Sequence, residues 1–403
     1  MKTFSKSFTQ QEPIPETAIQ AAVAVMRTGR LHRYNTLEDE SSETQLLEAE
    51  FAEYLGVPYV LACSSGGYAL NVAMRAAGVQ QGDLVLCNAF TLAPVPGAIH
   101  NSGASPVLVD VDENYCIDLV DLARKAQSSG AKYFMLSHMR GHIADMDKVM
   151  AICEQFDLLL IEDCAHTMGA YWDGKKSGTF GVAACFSTQT YKHLNSGEGG
   201  FLTTADSELM AKAIIYSGSY MLYGNGNHGA APYESAFTDV RLDTPNYSGR
   251  MDNLRAAILR PQLQVLDVQC ARWNLRYHSM ESVLKHCAVI RLTERSEKEQ
   301  FVASTLQFAL PDFSEQQIEQ VVAESARRGV VLKWFGAAEP NGYTSRYDSW
   351  RYMDNMPCLP VTEKILASLL DMRIPLTFSE EDCEHIAGII VEVVNELAEQ
   401  KAG

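Results

Sequence analysis

The stretch from Leu158 to Thr204 constrains this chain more than any other. It opens on a wholly apolar run, Leu158-Leu159-Leu160-Ile161, that breaks into Glu162-Asp163-Cys164-Ala165-His166. A short apolar run bounded by polar residues predicts a strand buried on both faces of a parallel sheet, which places the chain in the α/β class. Such strands deliver working side chains at their carboxyl ends, where Asp163 falls. A lone aspartate there is most often a helix cap. What sets Asp163 apart is the sequel: Ser187, then Lys192, in a glycine-rich setting closed by Gly197-Glu198-Gly199-Gly200.

A carboxylate and a lysine amine in this arrangement suit pyridoxal 5′-phosphate (PLP). That cofactor needs a lysine to attach its aldehyde and an anionic partner for its pyridinium nitrogen. The residues resemble the DegT/StrS family of PLP-dependent sugar aminotransferases, whose pattern runs E-D-x-A-[QH], G-T-x-G, F-S-x4-K-x-L and G-E-G-G. Here these are Glu162 to His166, Gly178-Thr179-Phe180-Gly181, Phe186-Ser187 with Lys192 and Leu194, and Gly197 to Gly200. The resemblance implies the type I, aspartate aminotransferase fold: a large mixed, mostly parallel sheet flanked by helices, plus a smaller C-terminal α+β domain. It implies Lys192 as the catalytic lysine, Asp163 at the ring nitrogen and His166 near the phenolic oxygen. Pyridoxamine 5′-phosphate is then the form between half-reactions.

Tyr59-Val60-Leu61-Ala62-Cys63 reads as a strand, Ser64 to Gly67 as a turn and Tyr68 to Ala77 as a helix. Free N–H groups at such a helix start, aided by its dipole, bind phosphate. Ser65, Gly66 and Gly67 match the family's S-x-G-T loop, with Gly67 where the family has threonine. The family's ring-stacking aromatic falls at Leu92, so either Leu92 covers the ring or Phe90 reaches over it. His138, Gly141 and Asp145-Met146-Asp147 match a further family segment, and Arg140 and His142 occupy its variable positions. The long Gly-, Asn- and Tyr-rich segment from Tyr216 to Tyr247 reads as a functional or interface loop. Beyond it, Ser248 stands where the family's asparagine reaches the neighbouring subunit's phosphate, and Arg250 matches the family arginine. Together with His228, the residues Arg30, Arg33, Arg140 and His142 are a candidate set of mouth cations.

At 403 residues the chain is long enough for two domains. The boundary is expected near residue 260, with 1–260 the large PLP-binding domain and its N-terminal segment, and 261–403 the small domain. A single long helix is expected from Met251 towards His278. An N-terminal helix near Pro15 to Thr28 shows Ile19, Ala22, Val23 and Met26 at helical spacing. The net charge of −17 argues against a nucleic-acid partner. The ten cysteines show no metal-ligand spacing, so no metal is expected, and Cys63, Cys87 and Cys185 read as buried free thiols. No apolar run approaches membrane length, and a reducing cytoplasm is expected.

The expected activity is transfer of an amino group from L-glutamate to a keto-sugar, by a homodimer with each site completed by the other subunit. Among acceptors, the resemblance points to 8-dehydro-3-deoxy-manno-octulosonate, a lipopolysaccharide sugar acid, with a nucleotide-linked 3- or 4-keto hexose as the rival. A sugar dehydratase of the same family commonly lacks the lysine, which is present here. A non-catalytic PLP-binding regulator does not need the complete catalytic set.

Overall fold

The computed structural model describes residues 2–224, 226–353 and 356–399. Its centre is a seven-stranded sheet in the order Tyr59–Cys63, Gly200–Thr204, Ala183–Ser187, Leu159–Asp163, Tyr133–Ser137, Leu84–Asn88 and Ser105–Val109. Only Gly200–Thr204 runs antiparallel to its neighbours. Alternate side chains of each strand enter opposite cores. Val60 and Ala62 face one cluster with Phe51, Phe134, Phe186 and Phe201. Leu61 and Cys63 face the other with Cys87, Met135, Ile161 and Cys185. Burial on both faces is why these strands read as continuous apolar runs.

Local signals fix the flanking helices. Glu43–Leu55 starts at a capping box between Ser42 and Gln45 and stops at Gly56, whose φ of 79° is the left-handed conformation a helix end favours. Glu16–Thr28 forms as expected, but Ala18, Ala22 and Val25 are its buried residues, while Ile19 and Met26 are exposed. Small residues let this helix lie close against Asn253–Leu263, which leaves the larger side chains facing out.

The expected long helix is two helices, Asn253–Leu263 and Leu266–Leu284. Pro261 lies inside the first and has no N–H to continue the ladder, and the chain leaves helical geometry at Val265. Leu266–Leu284 then crosses between domains. Leu266, Cys270 and Trp273 pack in the large domain's core, and Tyr277, Met280 and Leu284 in the small domain's.

The small domain is a four-stranded antiparallel sheet in the order Arg291–Leu292, Thr305–Ala309, Leu369–Arg373, Lys333–Trp334. Helices Glu315–Arg327 and Glu380–Glu399 share its core. Phe4 and Phe8, near the start of the chain, pack in this core. Phe4 and Phe8 meet Phe378 edge-on at 5.1 and 5.0 Å, and the Phe4 N–H donates to Arg328 O at 2.7 Å. Two phenylalanines in an otherwise polar segment gain most by burial, and the small domain supplies the apolar surface. Among the described residues, no helix is long and apolar enough to cross a membrane.

Candidate active site

The parallel strands end along one edge of the sheet, and the residues there wall a cavity of about 590 Å³. Cys63 leads into Ser65-Gly66-Gly67, and the next strands end in Ser137, Asp163 and Ser187. Lys192 follows in the loop between Ser187 and Gly200. All of these except Cys63 line the cavity or flank it directly, with His166 and Leu92. The sheet therefore gathers the expected cofactor residues in one place, apart from Ser248.

The Lys192 amine donates to His166 Nε2 at 2.7 Å. Burial lowers the lysine pKa, the charges of Arg140 and Arg373 lower it further and Asp163 opposes them, which leaves it at about 7. His166 is held well below the usual imidazole range by burial and by Lys192, so its ring stays neutral and can accept. Asp163 keeps a fixed orientation: Ser137 Oγ donates to Oδ2 at 2.9 Å and the Ala165 N–H to Oδ1 at 3.2 Å.

Glu162 shows why the motifs travel together. Its carboxylate is fully buried and takes the N–H groups of Gly178, Phe180 and Gly181 at 3.0, 2.8 and 2.9 Å, with His138 Nε2 at 3.2 Å. Gly178 has φ 88°, and a Cβ there would stand 2.4 Å from Phe186 Cζ, so glycine is required. The glycine turn is thus the clamp that holds the Asp163 strand end.

Several expected contacts fall elsewhere. Phe90 does not reach over the cavity; it is 1% exposed and packs edge-on against Phe335 at 4.9 Å, which leaves Leu92 as the lining residue. His142 is buried outside the cavity and donates from Nε2 to Gln307 Oε1 at 2.9 Å. His228 and Arg33 are not mouth residues but join Glu48 in a buried cluster. Arg30 pairs with Glu40 at 2.5 Å, away from the cavity. Arg250 holds the Gly218 carbonyl at 2.6 Å and stacks 5.1 Å from the Tyr220 ring, tying the following loop to the sheet. Ser248 is exposed, 3.3 Å from the Tyr220 hydroxyl, and does not line its own chain's cavity.

Arg140 does line it, with a φ of 57° that costs a non-glycine residue roughly 1–3 kcal/mol. Its Nη2 donates to Asp371 at 3.0 Å, across the domain junction. Sequence reasoning missed this side of the site: Asp371, Tyr343 and Arg373. The alternation in Leu369-Leu370-Asp371-Met372-Arg373 was the available signal, because a strand with charges two apart turns both to one face.

The donor set fits a phosphate-bearing aldehyde cofactor. The Gly66–Ala76 helix opens at the cavity with N–H groups that have no partner within the helix, and Ser65 Oγ takes that of Tyr68 at 3.1 Å. A Cβ on Gly66 would press to 2.9 Å from Ser187 Cβ and fill the cradle. Fold and site define a type I, PLP-binding protein of the aspartate aminotransferase class. The chain belongs to the DegT/DnrJ/EryC1/StrS aminotransferase family, whose model matches residues 14–391. Members of this family bind PLP.

Among relatives, the chain is 34% identical over 260 residues to the UDP-N-acetyl-3-dehydro-alpha-D-glucosamine 3-aminotransferase of Acidithiobacillus ferrooxidans, covering 63% of this chain and 66% of that one. It is 34% identical over 225 residues to the GDP-perosamine synthase of Caulobacter vibrioides, covering 56% and 57%. The matches thus span somewhat over half of those relatives' length. The crystal structure of 3-amino-5-hydroxybenzoic acid synthase superposes with a TM-score of 0.80 at 24% identity, covering 97% of this chain and 99% of that one.

Proposed function

We propose that the protein is a PLP-dependent aminotransferase that moves an amino group from L-glutamate to a keto-sugar. The observation that carries the proposal is a buried lysine amine 2.7 Å from a histidine ring nitrogen, in one cavity with a fixed aspartate. When bound, PLP supplies the electron sink that makes a proton alpha to nitrogen removable. Lys192 is then the base that takes that proton and returns it, because burial and the nearby guanidiniums lower its pKa towards neutrality. His166 holds the amine in place by accepting from it. Asp163, fixed through both oxygens, offers the negative partner for a ring nitrogen. Ser65, Gly66, Gly67 and Ser187 are the proposed phosphate seat, and Leu92 an apolar wall.

Among acceptors we carry forward 8-dehydro-3-deoxy-manno-octulosonate, because a carboxylate on the acceptor suits a cavity lined by the Arg373 guanidinium. A nucleotide-linked keto-hexose is the second reading, favoured by relatives named for UDP- and GDP-linked sugars. The working unit we propose is a homodimer. Tyr220, whose hydroxyl lies 3.3 Å from Ser248, and the adjacent Tyr247 are both exposed beside that serine, which suits a second copy. Each acceptor is assayed in parallel with L-glutamate on protein that sediments as a dimer. Lys192→Ala should abolish turnover, and Asp163→Asn should cut it by orders of magnitude with the fold intact. Turnover in the lysine variant sinks the mechanism; turnover of the nucleotide-linked sugar alone replaces the first acceptor with the second.

A further inference from the structure

Two guanidiniums, Arg140 after the Tyr133–Ser137 strand of the large sheet and Arg373 on the Leu369–Arg373 strand of the small one, stand around one aromatic ring. Arg140 and Arg373 lie 4.2 and 4.7 Å from the Tyr343 ring centroid, and both line the cavity. Their charges are met unequally. Asp371 accepts from Arg140 at 3.0 Å, from the Tyr343 hydroxyl at 2.6 Å and from Gln307 Nε2 at 2.5 Å, so both its oxygens are engaged. Asp371 and Arg373 are two apart on one strand and share a face, yet that carboxylate turns to Arg140.

The Arg373 side chain makes no ion pair and no hydrogen bond among the described residues. Its guanidinium sits between two rings, Tyr191 at 3.7 Å and Tyr343 at 4.7 Å. Ring faces orient and partly desolvate the cation without neutralising it, and they leave its N–H edge free. Its charge also reaches the reacting end of the cavity, where it helps to lower the Lys192 pKa. A planar five-donor cation, clamped and unpaired in a cavity, is shaped for a bidentate carboxylate.

We propose that Arg373 is the carboxylate seat of this site. It takes the carboxylate of the amino-acid donor in one half-reaction and that of an acidic acceptor in the other. Arg140, held by its ion pair with Asp371, positions Tyr343 beneath the seat and is not the seat itself. The assignment rests on the aminotransferase reading for its ligand class.

The test uses glutarate, a dicarboxylate with no amine to transfer, titrated calorimetrically into the full-length, PLP-loaded protein. Wild type should bind it saturably. Arg373→Gln should bind it ~100-fold more weakly, the size of one lost charge-assisted bidentate contact, and Arg373→Lys should fall between. The cofactor absorbance of both variants should match wild type, which reports an intact cavity. Equal binding by wild type and Arg373→Gln overturns the assignment, as does no binding by wild type. If glutarate binds through Arg373 but L-glutamate leaves the cofactor absorbance unchanged, the seat stands and the aminotransferase reading fails. If L-glutamate reacts and glutarate ignores residue 373, the reverse holds.

Discussion

Two arginine clusters in this molecule look alike in sequence and differ in what they leave open. In the first, Arg33 meets both oxygens of Glu48 at 2.9 Å and His228 Nδ1 at 2.8 Å, and the outer nitrogen of His228 meets the Tyr34 hydroxyl at 2.8 Å. Glu48 also takes the N–H of Ala62 at 2.9 Å and of Gly229 at 3.3 Å. The side chains of Arg33, Glu48 and His228 are all shut from solvent. In the second, Asp371 engages Arg140, and among the described residues no carboxylate engages Arg373. The first cluster pins a sheet strand and the 227–229 backbone to the Glu43–Leu55 helix. The second has a vacancy for charge that faces a cavity. Proximity of cations to a site in sequence therefore says little until each one's anion has been found.

The largest effect should come from breaking the closed cluster. Glu48→Gln leaves Arg33 buried without a counter-charge, which costs about 3–5 kcal/mol. Denaturant unfolding measures it, and a loss under about 1 kcal/mol would mean that the cluster is not what holds this corner. The acid limb checks the same point. Burial pushes the Glu48 carboxyl up, but Arg33 and His228 outweigh it and hold the pKa at about 2, against 4.5 for a free glutamate. A depressed carboxylate stabilises the fold above its unfolded pKa and loses that contribution as pH falls through its folded one. Wild type should therefore lose stability between pH 4.5 and about 2, and Glu48→Gln should lack this part of the decline.

The open cluster should show itself as a titration. In protein free of cofactor, the Lys192 amine should be acetylated by trace anhydride with a midpoint near 7, not near the ordinary 10.5. The signs of its neighbours separate cleanly. Arg140→Gln removes a positive charge and should raise the midpoint; Asp163→Asn removes a negative one and should lower it further. Between about 7 and 10.5 the unfolded chain binds the extra proton, so this group adds stability as pH rises through that window. A midpoint near 10 in wild type would mean that neither burial nor the two guanidiniums act on this lysine.

What could be read in the sequence follows the same division. Strands buried on both faces announce themselves as apolar runs, so Tyr59–Cys63 was placed to the residue. Lys192, Asp163, His166 and Ser187 share one continuous motif-bearing stretch, and the parallel sheet brings such strand ends together. The small-domain half could not be read. Arg373 lies 181 positions after Lys192 and its meaning depends on Asp371 turning away, a fact of packing. Phe90 and Leu92 are two apart in an irregular segment, where period gives no face, and only the contact with Phe335 shows which one points in. The N-terminal segment was assigned by its place in the chain, whereas Phe4 and Phe8 go where a core accepts them.

The smallest effect repeats the contrast at two adjacent glycines. Gly66 is closed: an added Cβ would stand 2.9 Å from Ser187 Cβ and 3.2 Å from the Phe186 carbonyl, and neither strand atom can give way cheaply. Gly67 is open: its Cβ would meet only Pro94 Cβ, at 3.7 Å, an ordinary contact, and its backbone is one an L-residue can adopt. Both sit in the first turn of the Gly66–Ala76 helix, where glycine carries an entropic cost. Gly67→Thr should stabilise the fold by roughly 0.5 kcal/mol through that entropy alone. If the helix start is the phosphate seat, the new hydroxyl should also slow PLP dissociation several-fold on dilution. Gly66→Ala should do the opposite on both measures. A stabilised Gly67→Thr protein with unchanged PLP dissociation would separate the two glycines on packing but remove Gly67 from the cofactor site.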